Sequence, residues 1–362
     1  MAEYIRRKCR SVKAGNVVIG GNAPISIQSM TNTDSYDHAA TLAQVQRLQE
    51  AGCDIVRITI PKPEAAGVIS YIKNAGVTVP LVADIHFDYR AALYAIEAGV
   101  DKIRINPGNI GDEARVKELA AAAKSHGIPI RIGVNSGSLE KSILAKHGAP
   151  TAAALCESAM YHASLLEKFG FYDTVISIKA STVMTTIEAN RLLAEQCDYP
   201  IHVGVTEAGG EASGTVKSAI GIGTLLAEGI GDTVRVSLTA DPVKEVPAAR
   251  GILDALGLSA KPSINIVSCP TCGRTRIGLI SLLSELEAAI DKENLRSVPI
   301  KVALMGCAVN GPGEAREADV GVAGGDGDAL LFYKGVPAGK IPQEMIVPRL
   351  IEEIKAFKIN TL

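Results

Sequence analysis

Residues 80–106 read PLVADIHFDYRAALYAIEAGVDKIRIN. Two short apolar runs, 80–85 and 102–106, flank an Ala- and Leu-rich segment whose apolar residues recur at helical spacing, so the stretch reads as strand, helix, strand. The same unit repeats on both sides. Runs of this kind occupy 25–30, 54–60, 129–134, 174–180, 200–206 and 233–238, with helical patterns between them over 41–51, 112–125, 152–169 and 217–228. Eight strand-helix units in about 240 residues fit a closed (β/α)8 TIM-type barrel in number and size. An open doubly wound sheet is the alternative, and an unbroken eight-fold count favours closure. A short run at 16–19, followed by Gly20-Gly21-Asn22, reads as a hairpin arm before the first barrel strand.

Beyond residue 258 the pattern changes. A linker around 257–262 leads to a strand at 264–267, a helix at 276–290, a strand at 301–304, short runs at 319–322 and 329–333, and a helix over 342–357. The fold class is therefore α/β: a barrel over 1–258, then a smaller α/β domain over 262–362.

Composition agrees. The chain has 362 residues, 47% hydrophobic and 21% charged, no Trp and a formal charge of -2. A core made of Ile, Val, Leu and Ala suits parallel strands covered on both faces. The near-neutral charge gives no global pull toward nucleic acid or an anionic membrane. No run approaches the ~20 apolar residues of a spanning helix, and the first ten residues have no apolar stretch of a secretory signal. Seven cysteines, an odd number unevenly spread, point to a reducing cytoplasm rather than a disulfide framework.

Three of those cysteines stand apart. Cys269 and Cys272 form a C-x2-C pair after one strand of the small domain, and Cys307 follows the next strand at the head of a glycine-rich loop containing Asn310, Gly311, Pro312 and Gly313. A helix between the strands makes them parallel, so their carboxyl ends share one sheet edge and the thiols can converge. Structural zinc wants four closed ligands, whereas a [4Fe-4S] cluster held by three thiolates accepts a weaker fourth ligand, for which Glu314 is placed. Spacing alone leaves iron and zinc both open. Cys9, Cys53, Cys156 and Cys197 read as small core residues, and His38, His126, His147 and His162 as surface or core residues.

A barrel enzyme works at the carboxyl ends of its strands. Polar residues two apart cluster there: Arg57 and Thr59, Asp84 and His86, Arg104 and Asn106, Arg131 and Asn135, Ser177 and Lys179, His202, Thr206 and Glu207, Arg235 and Ser237. Four arginines and a lysine at one mouth call for an anionic ligand, and guanidinium forks suit phosphate oxygens. Loops 106–111 and 207–210, each before a helix, add backbone donors for a diphosphate. Any of the arginines could instead pair with Asp84, Glu207 or another acid. Lys179 also admits a different chemistry, a Schiff-base sugar-phosphate lyase with a structural zinc domain.

Two stretches, SCPTCGRT at 268–275 and MGCAVNGPGEA at 305–315, carry a resemblance, supported in order by QSMTNTDSYD, VRIT, VADIHF, IRINPGNIG, RIGVNSGSLE, ISIKAS, HVGVTEAGG and VRVSLT. The whole chain resembles the bacterial 4-hydroxy-3-methylbut-2-enyl diphosphate synthase family, iron-sulfur enzymes of the methylerythritol phosphate route to isoprenoids, without the extra middle domain of plant-type members. The resemblance implies that Cys269, Cys272, Cys307 and Glu314 hold a [4Fe-4S] cluster. It implies that Arg57, Arg104, Arg131, Asn135, Lys179, Arg235 and Ser237 hold the cyclic diphosphate of the substrate, with Thr206 and Glu207 beside it. Glu207 and Glu314 are then the candidate catalytic carboxylates, Glu207 as proton donor or electrostatic partner and Glu314 as a displaceable ligand. Two electrons from flavodoxin or ferredoxin open the ring of 2-C-methyl-D-erythritol 2,4-cyclodiphosphate and expel water. A head-to-tail homodimer is implied as well.

Overall fold

The structure is a computed structural model, and residues 4–106, 110, 112–261, 263–307, 313 and 315–361 are described below. The chain divides into two compact units, one through Ser259 and one from Ala260 onward.

The first unit opens with an antiparallel hairpin, β1 (Ser11–Ala14) and β2 (Val17–Gly20). Eight parallel strands follow: β3 (Ser26–Met30), β4 (Ile55–Thr59), β5 (Leu81–Asp84), β6 (Lys102–Ile105), β7 (Ile130–Asn135), β8 (Thr174–Lys179), β9 (His202–Val203) and β10 (Thr233–Val234). Their order in the sheet is β8-β7-β6-β5-β4-β3-β10-β9, and a parallel bridge from Ile176 to Ile201 joins the two ends. The sheet is thus a closed barrel. Alternation divides its side chains. Val56, Ile58, Ala83, Ile103, Ile105, Ile132, Ile176, Ile178, Val203 and Val234 pack outward into one core with the surrounding helices.

The helices begin where short polar side chains can cap them. Asp37, Asp112, Thr151 and Thr182 accept hydrogen bonds from backbone N–H groups in the first turns of His38–Glu50, Glu113–His126, Ala152–Lys168 and Val183–Gln196. The helix expected over 217–228 starts earlier, at Glu211. Its Ser-Gly-Thr segment has low helix propensity, but buried Gly214 and Ser218 lie on the packed face and tertiary contact prevails. β9 and β10 are shorter than the expected runs. Arg235 still donates its N–H to the Val203 carbonyl at 3.0 Å, but past it the backbone finds other partners: the Leu238 N–H donates to the Glu245 carboxylate at 3.1 Å.

The hairpin plugs the amino-terminal end of the barrel. Val12, Ala14 and Ile19 form a small core with Ile55, Val82 and Val175, inward residues at the starts of their strands. The barrel is therefore dry at the bottom and polar above.

The second unit is a five-stranded sheet in the order β11 (Asn265–Ser268), β12 (Lys301–Met305), β13 (Val320–Gly324), β14 (Asp328–Tyr333) and β15 (Val336–Pro342). The β11–β12 and β12–β13 pairs are parallel, as the intervening helix Leu279–Lys292 requires, and the last two pairs are antiparallel. One correction concerns 342–357. The final helix is Ile346–Thr361, and Pro342 instead ends β15. That strand, VPAGKIP, carries two prolines and a glycine, which only an edge position tolerates. Among the described residues no helix is long and apolar enough to cross a membrane.

Ile19 is fully buried in the plug. Ile19→Ala should destabilise the barrel by roughly 2–5 kcal/mol in urea unfolding, since the small cluster has few neighbours to close the cavity.

Candidate active site

Inward residues of the barrel change character from bottom to top. Above the plug, β4 presents Arg57, β5 Asp84, β6 Lys102 and Arg104, β7 Arg131, Gly133 and Asn135, and β8 Ser177 and Lys179. A cavity of about 120 Å³ opens at the carboxyl end. Arg57, Arg104, Arg131, Lys179 and Arg235 line it together with His86, Gly133, Asn135, Ser177, Thr206 and Ser237. The period of two brings residues from seven strands or strand ends to one place.

Two carboxylates order these cations. Asp84 is 1% exposed. It faces Arg104 Nη1 at 3.1 Å, Arg57 Nε at 3.6 Å and His86 Nε2 at 3.6 Å. Burial alone would raise its pKa, but Arg57, Arg104, His86 and Arg131 outweigh that and hold it at about 2. Glu245, at the start of helix Glu245–Ala255, reaches in from outside the strands. It takes Arg235 in a fork, Nε to Oε2 at 3.2 Å and Nη2 to Oε1 at 3.1 Å, and accepts from Ser29 Oγ at 2.7 Å. The Met30 thioether sits between Arg57 Nε at 3.0 Å and Arg235 Nη1 at 3.8 Å.

Two glycines make the arrangement possible. A Cβ on Gly133 would lie 2.3 Å from Arg104 Nε, and one on Gly204 would lie 2.6 Å from the Arg235 carbonyl and 2.9 Å from Lys179 Nζ. Arg104 uses the opening to donate to the Gly133 carbonyl at 3.2 Å. Arg131 is 1% exposed, and its Nε and Nη1 have no hydrogen-bond partner among the described residues. Burial first, and then the neighbouring cations, depress the pKa of Arg131 and of Lys179 well below their ordinary values. A set of buried donors with few acceptors is suited to a polyanion.

Some sequence expectations are corrected here. His202 does not reach the mouth: it begins β9, is fully buried, and lies below the cavity. Glu207 follows Thr206 in a left-handed conformation, φ 53°, and is exposed outside the cavity lining. Loop 207–210 does precede a helix, whereas Pro107, Gly108, Asn109 and Gly111 lie outside the described residues. Glu245, Gly133 and Gly204 were not singled out from sequence. The glycines fall at inward positions of their strands, which is a usable signal, but nothing local marks Glu245.

In the second unit, Cys269 follows β11 and Cys307 lies two residues past β12, at the carboxyl edge of a parallel pair. Gly306 links the two segments: its N–H donates to Cys269 Sγ at 3.2 Å and its carbonyl accepts from the Arg276 N–H at 2.9 Å. Cys272 sits in a tight turn, its N–H donating to Thr275 Oγ1 at 3.0 Å. It is exposed, and hydrogen bonds from the Arg274 backbone and side chain lower its thiol pKa. All seven cysteines are free. Asn310, Gly311, Pro312 and Glu314 lie outside the described residues. Among those described, no group of three His, Cys, Asp or Glu side chains is gathered tightly enough for a single metal ion. In a cluster each thiolate binds its own iron, so its sulfurs stand further apart than around one ion. The three thiols, one backbone N–H aimed at sulfur and an exposed, acidified cysteine fit such a group.

Comparison with known proteins decides the family. The GcpE TIM-barrel domain matches residues 9–250, and the GcpE protein C-terminal domain matches residues 265–356. This chain belongs to the GcpE family. Relatives include a GcpE-type protein of Ruminiclostridium cellulolyticum, 58% identical over 96% of this chain and 98% of its own length. Others are from Caldanaerobacter subterraneus, 56% identical over 97% and 98%, and Geobacillus thermodenitrificans, 55% identical over 98% and 94%. All three are named 4-hydroxy-3-methylbut-2-en-1-yl diphosphate synthase (flavodoxin).

The Asp84 pairs carry a pH prediction. A carboxyl held at about 2 in the fold, against 3.8 unfolded, stabilises the protein above pH 3.8 and loses that contribution as pH falls through 2. Asp84→Asn should therefore cost roughly 2–5 kcal/mol at pH 7. Its deficit against wild type in urea unfolding should shrink below about pH 3.

Proposed function

We propose that the barrel cavity receives the diphosphate of 2-C-methyl-D-erythritol 2,4-cyclodiphosphate and that the cysteine edge of the second unit carries the electrons that open its ring. The chain is an oxidoreductase of the flavodoxin-dependent type, producing (E)-4-hydroxy-3-methylbut-2-enyl diphosphate for isoprenoid synthesis. The observation that supports the substrate assignment is the cavity itself, five cations around a space with two carboxylates behind them.

In this reading Arg57, Arg104, Arg131, Lys179 and Arg235 neutralise the two phosphates, and Asn135 and Ser237 donate hydrogen bonds that fix their orientation. Asp84 and Glu245 hold Arg104 and Arg235 in place before substrate arrives, so little ordering is left for the binding step. Thr206 closes one side of the cavity. Glu207, just outside it, is assigned as the proton donor to the departing hydroxyl. Cys269, Cys272 and Cys307 would hold the [4Fe-4S] cluster, with Glu314 as an oxygen ligand. When bound, the cluster supplies single electrons, which no side chain here can carry.

The overall step balances. Two electrons and one proton enter, the bond from the tertiary carbon to its phosphate oxygen breaks, the neighbouring hydroxyl leaves as water, and a carbon–carbon double bond forms. Flavodoxin or ferredoxin delivers the electrons. The same reading includes a homodimer and a cytoplasmic location, where seven free thiols stay reduced. The Schiff-base lyase alternative at Lys179 falls with family membership.

Arg104→Ala should lower kcat/KM for the cyclodiphosphate roughly 10- to 100-fold, the loss expected for a charge-assisted contact. Gly133→Ala, which displaces the same guanidinium, should move kcat/KM in the same direction. Unchanged values for both would remove the phosphate assignment. Anaerobically purified Cys307→Ser should retain less iron and acid-labile sulfide than wild type. Equal content would remove Cys307 from the ligand set, and zinc in place of iron in the wild type would reopen the metal.

A further inference from the structure

Below the cavity lies a second layer of inward residues that the reading above does not use. Lys102 is fully buried on β6, and its Nζ has no hydrogen-bond partner among the described residues. His202 on β9 is equally buried, and both its ring nitrogens lack a partner among the described residues. Gln28 on β3 has neither amide atom bonded, and Ser26 Oγ and Thr233 Oγ1, at matched register on neighbouring strands, are also unbonded. Here a lysine side chain is buried among neutral groups and cations.

The charged groups that face Lys102 are Arg57 and Arg131, and Asp84 on the adjoining β5 is already shared by Arg57 and Arg104. Across the barrel stand His202 and Lys179, and Glu245 is taken by Arg235. Among the described residues no carboxylate is left for Lys102. A buried ammonium without a counter-charge sheds its proton. Burial first, then Arg131 and Arg57, pull the pKa of Lys102 far below its ordinary value, and the same influences keep His202 neutral.

We propose that Lys102 is a charge-regulating positioning residue: neutral in the empty barrel, and protonated from solvent when a diphosphate enters the cavity above it. This rests on the diphosphate reading of the cavity. The dianion supplies the counter-charge the interior lacks, and cancels the repulsion from Arg131 and Arg57 that keeps Lys102 unprotonated. The balance is one amine plus one proton from water giving one ammonium, with no redox change. Binding is then linked to pH. Between the empty-state and bound-state pKa of Lys102, uptake of one proton on binding makes affinity fall about tenfold for each unit that pH rises.

The test is calorimetric titration of the oxidised, cluster-loaded full chain with the cyclodiphosphate, no electron donor present, in buffers of different ionisation enthalpy at mildly alkaline pH. The ligand's phosphate oxygens titrate far below this range, so any protons taken up go to the protein. Wild type should take up protons, and Lys102→Met and Lys102→Gln should each take up close to one fewer, with a correspondingly shallower rise of Kd with pH. Lys179 and His202 are present in all three proteins, so a deficit shared by both Lys102 variants reports on Lys102. A merely structural lysine would change Tm or Kd and leave the proton count alone. Saturable binding with equal proton counts in variant and wild type overturns the inference while sparing the diphosphate reading. Should neither variant fold, saturable wild-type binding without proton uptake overturns it as well. No saturable wild-type binding overturns both.

Discussion

Among the described residues six basic side chains, Arg57, Lys102, Arg104, Arg131, Lys179 and Arg235, share the interior of the barrel with two carboxylates, Asp84 and Glu245. That imbalance is the constraint on which the rest of the first unit depends. Burying like charges together destabilises a fold, so the surrounding structure must compensate. It does so with an extensive aliphatic layer outside the strands, a dry plug beneath, and carboxylates placed to hold guanidinium groups by two atoms or from two sides. Room is the other requirement. Gly133, within β7, and Gly204, just past β9, give up side chains because the space belongs to Arg104 and Lys179.

The second unit meets a different demand with the same local grammar. Parallel strands joined by a helix bring two cysteine segments to one edge, and Gly306 ties them through its N–H and its carbonyl. In the function proposed here a thiolate-bound group would carry the electrons and the cation-lined cavity the diphosphate. Neither unit holds both. The reaction of the family needs both, which accounts for a chain built from two independently packed cores.

Much of this was legible in sequence because parallel barrels repeat. Eight β-branched runs give the strands, and polar residues two apart mark the inward face, so the eight barrel positions assigned to substrate come together around one cavity. What escaped depends on contacts distant in sequence. Glu245 looks like an ordinary first-turn glutamate until the fold sets it against Arg235. His202 shares the parity of the mouth residues, but its depth is set by strand register, which periodicity does not report. β15 was missed because prolines and a glycine describe a loop unless an edge is vacant beside β14. The assignment of Glu314 as a ligand rests on the motif alone.

The central claim is that a diphosphate supplies the negative charge this interior lacks, and ligand-linked stability tests it most directly. In calorimetric melts of the oxidised full chain without an electron donor, the account predicts that Tm rises steadily with cyclodiphosphate concentration. At 100 times Kd the gain should reach about 2.7 kcal/mol. It also predicts that added salt blunts the rise. A Tm that stays constant across concentrations that saturate turnover would contradict it.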